Sequence, residues 1–259
     1  MTTVIKNGTV YQNGQLIHAD ILVAGKKIKA IAIHLSGDKT IDAKGKLVSP
    51  GLIDLHVHYR DPGQTYKEDS HTGSLAAAHG GFTTVGAMPN VTPVPDTPEL
   101  MQKMVNENQR KGVVHILQYG PITKNETTDI IPDYFGLKKA KENNLVLAEH
   151  AQDDALFNQG VINEGKRAQE LNLKPITELA ETTQIARDLL LAQKTCVHYH
   201  VCHISSKVSV ELVRLAKAKG INVTCEVTPH HLLLTDEDIP KDDPNYKMNP
   251  PLRNKKDQT

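Results

Sequence analysis

Apolar and polar positions follow two different rhythms along the chain, and the change falls near residue 50. Over residues 1–50 the apolar positions form short β-type runs at 3–5, 15–23, 28–33 and 46–49, separated by Gly and by Asn7-Gly8 and Asn13-Gly14, which favour hairpin turns. No helical period occurs there, so this segment is expected to form a small β-rich domain of its own. From residue 51 onward, apolar runs near 52–58, 82–88, 113–119, 145–149, 197–202 and 221–227 alternate with amphipathic stretches near 70–79, 98–111, 136–143, 153–171, 176–193 and 207–219. That alternation is the signature of βα units around a parallel sheet. Thr97 before Pro98 reads as an N-cap with proline at the first helical position, and Gly220 follows a basic turn as a helix stop.

Six such strands are two short of an eight-stranded β/α barrel. The fold expected is α/β: a TIM-type (β/α)8 barrel over 51–259, incomplete by two strands, behind the β layer of 1–50. The stretch 122–136 is poor in apolar residues and contains Pro132.

Composition narrows the class of ligand. The chain has 30 basic and 30 acidic side chains and no dense basic run, so it lacks the electrostatic footprint of a nucleic-acid or anionic-membrane binder. A small neutral or anionic ligand fits better. No apolar run approaches the length of a membrane span and the N-terminus does not resemble a signal peptide, so the expected location is the cytoplasm. Cys196, Cys202 and Cys225 do not make a disulfide framework and are expected as reduced thiols. The unusual count is 13 histidines, about twice an average usage.

Four of these histidines carry chemistry. His56 and His58 end an apolar run; residues i and i+2 of a strand share a face, so the two imidazoles can meet at the strand's C-terminal end, where barrel active sites lie. His150 and His203 each follow another predicted strand. Neutral imidazoles converging from three strand ends suit zinc or a similar divalent ion. His198 and His200 are expected as hydrogen-bonded structural residues, and His230 and His231 in loop packing or in support of the ligands. Arg60, in the turn that follows His58, can clamp a carboxylate, and Asn90, at the end of the second strand, can add a directional donor. Asn249 and Arg253 sit in a proline-stiffened segment that can be held over a pocket. Nucleotide-binding glycine motifs, a nucleophile elbow and zinc-ribbon cysteine spacing are all absent.

Five segments together make a resemblance. Pro50-Gly51-Leu52-Ile53-Asp54-Leu55-His56-Val57-His58-Tyr59-Arg60-Asp61-Pro62-Gly63, Ala87-Met88-Pro89-Asn90, His200-Val201-Cys202-His203-Ile204-Ser205, Glu226-Val227-Thr228-Pro229-His230-His231 and Met248-Asn249-Pro250-Pro251-Leu252-Arg253 resemble the larger bacterial dihydroorotases of the amidohydrolase superfamily. Tyr59 departs from that pattern, which commonly has leucine there. The resemblance implies a zinc-dependent hydrolase of pyrimidine biosynthesis that interconverts N-carbamoyl-L-aspartate and L-dihydroorotate. It implies that His56 and His58 hold one zinc and His150 and His203 a second. It also implies that Arg60 and Asn90, beside His58, grip the substrate and that Asn249 contacts its ring. A homodimer, and association with aspartate transcarbamoylase, are expected from the same source.

Two family elements have no counterpart in the chain. A metal-bridging carboxylate is not found between Gly120 and Leu145, and the late segment that supplies a further ligand and the general-base Asp would lie beyond Thr259. An omission between Asp129 and Gly136 is therefore expected, and these residues alone are expected to hydrolyse little substrate. A hydantoinase or allantoinase is the competing enzyme, and a catalytically inactive scaffold is the competing non-enzyme.

Overall fold

The computed structural model describes residues 1–122 and 134–258. The chain divides into two compact units, Met1–Tyr119 and Gly120–Thr259.

The first unit begins with seven short strands: β1 (Thr2–Lys6), β2 (Thr9–Gln12), β3 (Gln15–His18), β4 (Asp20–Ala24), β5 (Lys27–Ala32), β6 (Lys39–Asp42) and β7 (Leu47–Val48). They form a four-stranded sheet, β5-β4-β1-β6, and a three-stranded sheet, β3-β2-β7. Asn13-Gly14 forms the expected hairpin turn between the antiparallel β2 and β3, with φ of 50° and 79°. Asn7-Gly8 does not, since β1 and β2 lie in different sheets, and Asn7 at φ 63° instead turns the chain from one sheet to the other. Val10, Ala19 and Ile21 are buried between these strands.

The rhythm then changes as expected. β8 (Leu52–Val57), α1 (Ser70–His79), β9 (Phe82–Ala87), α2 (Pro98–Lys111) and β10 (His115–Gln118) alternate, and the three strands pair in parallel in the order β10-β9-β8. α1 starts at a capping box between Asp69 and Thr72, and α2 starts where the Thr97 side chain accepts from the backbone N–H of Leu100. Tyr59 is buried with Val85, Ala87 and Ile116. Gly73 of α1 makes room for it: a Cβ there would lie 2.4 Å from the Tyr59 ring. The tyrosine in place of leucine is thus accommodated by the helix packed over it.

The second unit contains α3 (Tyr134–Glu142), β11 (Val146–Glu149), α4 (Asp154–Phe157), β12 (Ile162–Asn163), α5 (Lys166–Glu170), β13 (Pro175–Ile176), α6 (Leu179–Thr195), β14 (His198–Val201), α7 (Lys207–Ala218), β15 (Val223–Cys225) and α8 (Pro229–Leu233). β11, β14 and β15 form a second parallel sheet in the order β11-β14-β15. Val197, Tyr199 and Val201 are fully buried in a core shared with Ile185 and Leu189 of α6 and Val213 of α7. β14 alternates: Tyr199 and Val201 enter this core, while His198 and His200 point to the other face.

Two expected elements are corrected. The stretch 153–171 is not a single helix but α4, β12 and α5 in succession. Asn158 and Gln159 take left-handed φ values of 49° and 52°, which end α4. Gly160 then lets β13 approach closely, since a Cβ at that position would sit 2.3 Å from the Pro175 carbonyl oxygen. Likewise the helix expected from 176 begins at Leu179, because Pro175 and Ile176 pair with β12 instead. Among the described residues no helix is long and apolar enough to cross a membrane.

Candidate metal centre

In the first unit the histidine pair is built by an irregular strand. Asp54 pairs with Val85 and Val57 with Ala87, so β8 carries one more residue than β9 across this interval and bulges around Leu55 and His56. Bulges re-aim side chains and leave a backbone group unpaired. Here the Asp54 carboxylate accepts from the His56 backbone N–H at 3.0 Å. The Nε2 atoms of His56 and His58 come to 3.1 Å, with the rings in an edge-to-face arrangement. Asn90, which follows β9, sets the second ring: its Oδ1 lies 2.8 Å from His58 Nδ1. An oxygen there calls for a proton on Nδ1, which leaves the Nε2 lone pair facing His56.

Arg60 adopts a φ of 58°, uncommon for a residue with a Cβ, at the head of a turn closed by the Gln64 N–H donating to the Arg60 carbonyl. The neighbouring Asp61 does not pair with Arg60. Its carboxylate accepts from Lys111 Nζ at 2.8 Å and from the Ser70 N–H, which tie the turn to both helices of the unit.

In the second unit the pair comes from two strands. The parallel register sets Glu149 beside Val201, and the Cys202 N–H donates to the Glu149 carbonyl at 3.0 Å. His150 and His203, just past those residues, therefore leave the same edge of the sheet. Their ring nitrogens, Nδ1 of His150 and Nε2 of His203, are 2.9 Å apart. The Glu226 carboxylate accepts from the His203 backbone N–H at 3.4 Å and lies 3.4 Å from His200 Nε2. Asn249 is carried to this edge, its Nδ2 2.7 Å from Gln152 Oε1 and 3.4 Å from His150 Nε2.

Both nitrogen pairs fit a shared cation. Two imidazole nitrogens about 2.0–2.1 Å from one zinc, at near-tetrahedral angles, stand about 3.3 Å apart, close to the separations found here. His58 and Asn90 come together on the first unit, with Arg60 in the turn that follows, and His150, His203 and Asn249 on the second.

Other expectations take structural roles. His198 and His200 both face Thr224 Oγ1 at 2.8 Å. His231 is buried against the Pro250 carbonyl, at the start of the short helix α8. Arg253 does not overhang a pocket: it is 4% exposed and bonded to Ser205 and Asn163, with the Glu181 carboxylate 3.8 Å away. Sequence reasoning passed over Asp54, Gln152 and Glu226. Only Asp54 left a signal, an acidic residue inside an apolar strand. The omission expected between Asp129 and Gly136 lies for its greater part at 129–133, outside the described residues.

Comparison with known proteins gives the family. The chain matches the Dihydro-orotase-like family over residues 45–142 and 132–209. It is 70% identical to a dihydroorotase of Lactobacillus acidophilus and 54% identical to one of Ligilactobacillus salivarius, in each case over 100% of this chain and 67% of the relative. The first alignment runs over 283 positions against 259 residues, so at least 24 positions have no counterpart in this chain. The two family matches overlap at 132–142, beside the expected omission. Among solved structures, dihydropyrimidinase from Brevibacillus agri superposes with a TM-score of 0.84 at 25% identity, over 100% of this chain and 64% of that one. The chain thus spans about two thirds of the length of these relatives, and its fold is of their amidohydrolase, TIM-barrel type. With both histidine pairs in place and full-length identity of this order, the chain belongs to the dihydroorotase family, metal-dependent hydrolases of cyclic amides.

Proposed function

We propose that this chain serves a dihydroorotase, which hydrolyses the ring amide of L-dihydroorotate to N-carbamoyl-L-aspartate, and the reverse, in de novo pyrimidine synthesis. The observation that carries the reading is the pair of imidazole clusters, with nitrogens 3.1 Å and 2.9 Å apart, at the ends of parallel strands. His56 and His58 would hold one zinc, and His150 and His203 the other. Zinc, when bound, supplies Lewis acidity, lowering the pKa of water and polarising an amide carbonyl.

The protein's own residues then have distinct tasks. Arg60, held on an anchored turn, offers a planar cation to the substrate carboxylate, which a neutral hydantoin lacks. Asn90 orients His58 and, with its amide nitrogen, can reach the same carboxylate. Asn249 stands beside His150 to contact the ring. Fixing the amide in this way supplies orientation, worth several kcal/mol of barrier in well-aligned cases. On this reading the protein works in the cytoplasm as a homodimer, and aspartate transcarbamoylase is the partner to test by co-purification.

A panel of L-dihydroorotate, hydantoin, allantoin and dihydrouracil, offered to the zinc-loaded protein, tests the assignment. Binding should favour dihydroorotate and fall at least tenfold in Arg60→Met. A preference for hydantoin, or indifference to Arg60, would contradict it.

A further inference from the structure

The polar contacts around His150 form a chain whose direction can be read from one end. It starts at Asp154, in the first turn of α4, whose carboxylate Oδ1 lies 3.0 Å from Gln152 Nε2. A carboxylate at neutral pH only accepts, so the amide nitrogen of Gln152 must be the group that faces it. The amide oxygen is thereby turned the other way, to 3.2 Å from His150 Nε2. An oxygen can only accept there, so Nε2 carries the ring proton. His150 Nδ1 is left as a lone pair, and it faces His203 Nε2 at 2.9 Å. Asn249 joins the same oxygen, its Nδ2 donating to Gln152 Oε1 at 2.7 Å. The longer Asn249 Nδ2 to His150 Nε2 separation of 3.4 Å is what two donors sharing one acceptor should show.

We infer that Gln152 is a positioning residue for His150: anchored by Asp154, it fixes the tautomer and ring orientation that present Nδ1 for metal binding, and it links that ring to the Asn249 segment. The inference deepens the dihydroorotase reading and rests on it for the identity of the metal. The tautomer itself does not depend on any metal. Outer partners of ligating histidines act in this way, and their loss typically costs about 10–100-fold in metal affinity. Leucine, of similar volume, removes the acceptor. Glutamate keeps an acceptor at His150 while giving up the bond to Asp154.

The test combines histidine ring ¹⁵N spectra of the metal-free protein with zinc affinity measured against a competing chelator. In the wild type, the His150 spectrum should show Nε2 protonated and Nδ1 bare, and zinc should perturb Nδ1. Gln152→Leu should give ring shifts averaged over two tautomers and at least tenfold weaker zinc binding. Gln152→Glu should restore both properties to within about threefold of wild type. A wild-type proton on Nδ1, or Gln152→Leu unchanged in both readouts, would overturn the inference. A wild type with the expected tautomer that takes up no zinc would instead count against the metal assignment and leave the positioning role standing.

Discussion

His203 and His56, one histidine of each pair, belong to strands of opposite character. β14, which leads into His203, has Val197, Tyr199 and Val201 at 0% exposure under α6 and α7. β8, which carries His56, has Ile53 and Leu55 at 60% and 49% exposure and is interrupted by a bulge. His203 is therefore positioned by a strand packed on one face against α6 and α7. His56 and His58 are positioned locally, by the Asp54 side chain on the bulged backbone and by Asn90 on the ring. The same ligand spacing is reached by two kinds of support, and the two should fail differently.

The largest contrast is in stability. Tyr199→Ala should cost the second unit about 3–5 kcal/mol, the usual range for deleting a buried aromatic. Ile53→Ala should cost about 1 kcal/mol or less, as partly exposed sites do. Urea unfolding of the two variants checks this, and equal losses would erase the distinction between the strands.

A second effect is confined to the buried sheet. Burial first, and then the neighbouring Asp188 charge, push the Glu149 carboxyl up to about 8. Its pKa is raised above the unfolded value, so the folded state holds a proton that the unfolded chain releases at lower pH. That contribution is complete below about pH 4 and is lost as pH rises toward 8. The metal-free protein should therefore lose stability between pH 5 and 8, and Glu149→Gln should flatten that slope. A variant with the wild-type slope would refute the assignment to Glu149.

The smallest effect is on the bulge. Asp54→Ala removes the acceptor for the His56 N–H and should cost about 1 kcal/mol, the typical net worth of such a bond. Zinc bound by His56 and His58 should weaken in that variant, with zinc at the second pair unchanged. Equal weakening at both pairs would show that the support is not local.

The same contrast explains what could be read from sequence. The alternation of strand and helix, the hairpin turn at Asn13-Gly14 and the caps at Thr97 and Gly220 follow from local residue chemistry and appear where expected, whereas the strands on either side of Asn7-Gly8 go to different sheets. His56 and His58 were legible as a pair because two residues on one strand suffice. Their support was less so, since a bulge depends on the register against β9. His150 and His203 could be named, but their approach depends on the parallel register of β11 and β14, which links residues 53 apart. Gln152 left no mark, because a glutamine two residues beyond a histidine is unremarkable until Asp154 fixes which way its amide points. The stretch 153–171 misled because its composition suits a helix while two left-handed residues and the close contact at Gly160 decide otherwise.

The central claim is that each pair holds a metal ion independently. The most direct measurement is zinc bound per chain in the wild type and in the double variants His56→Ala/His58→Ala and His150→Ala/His203→Ala. The account predicts two zinc ions in the wild type and the loss of one in each double variant. Zinc content unchanged by either substitution would contradict it.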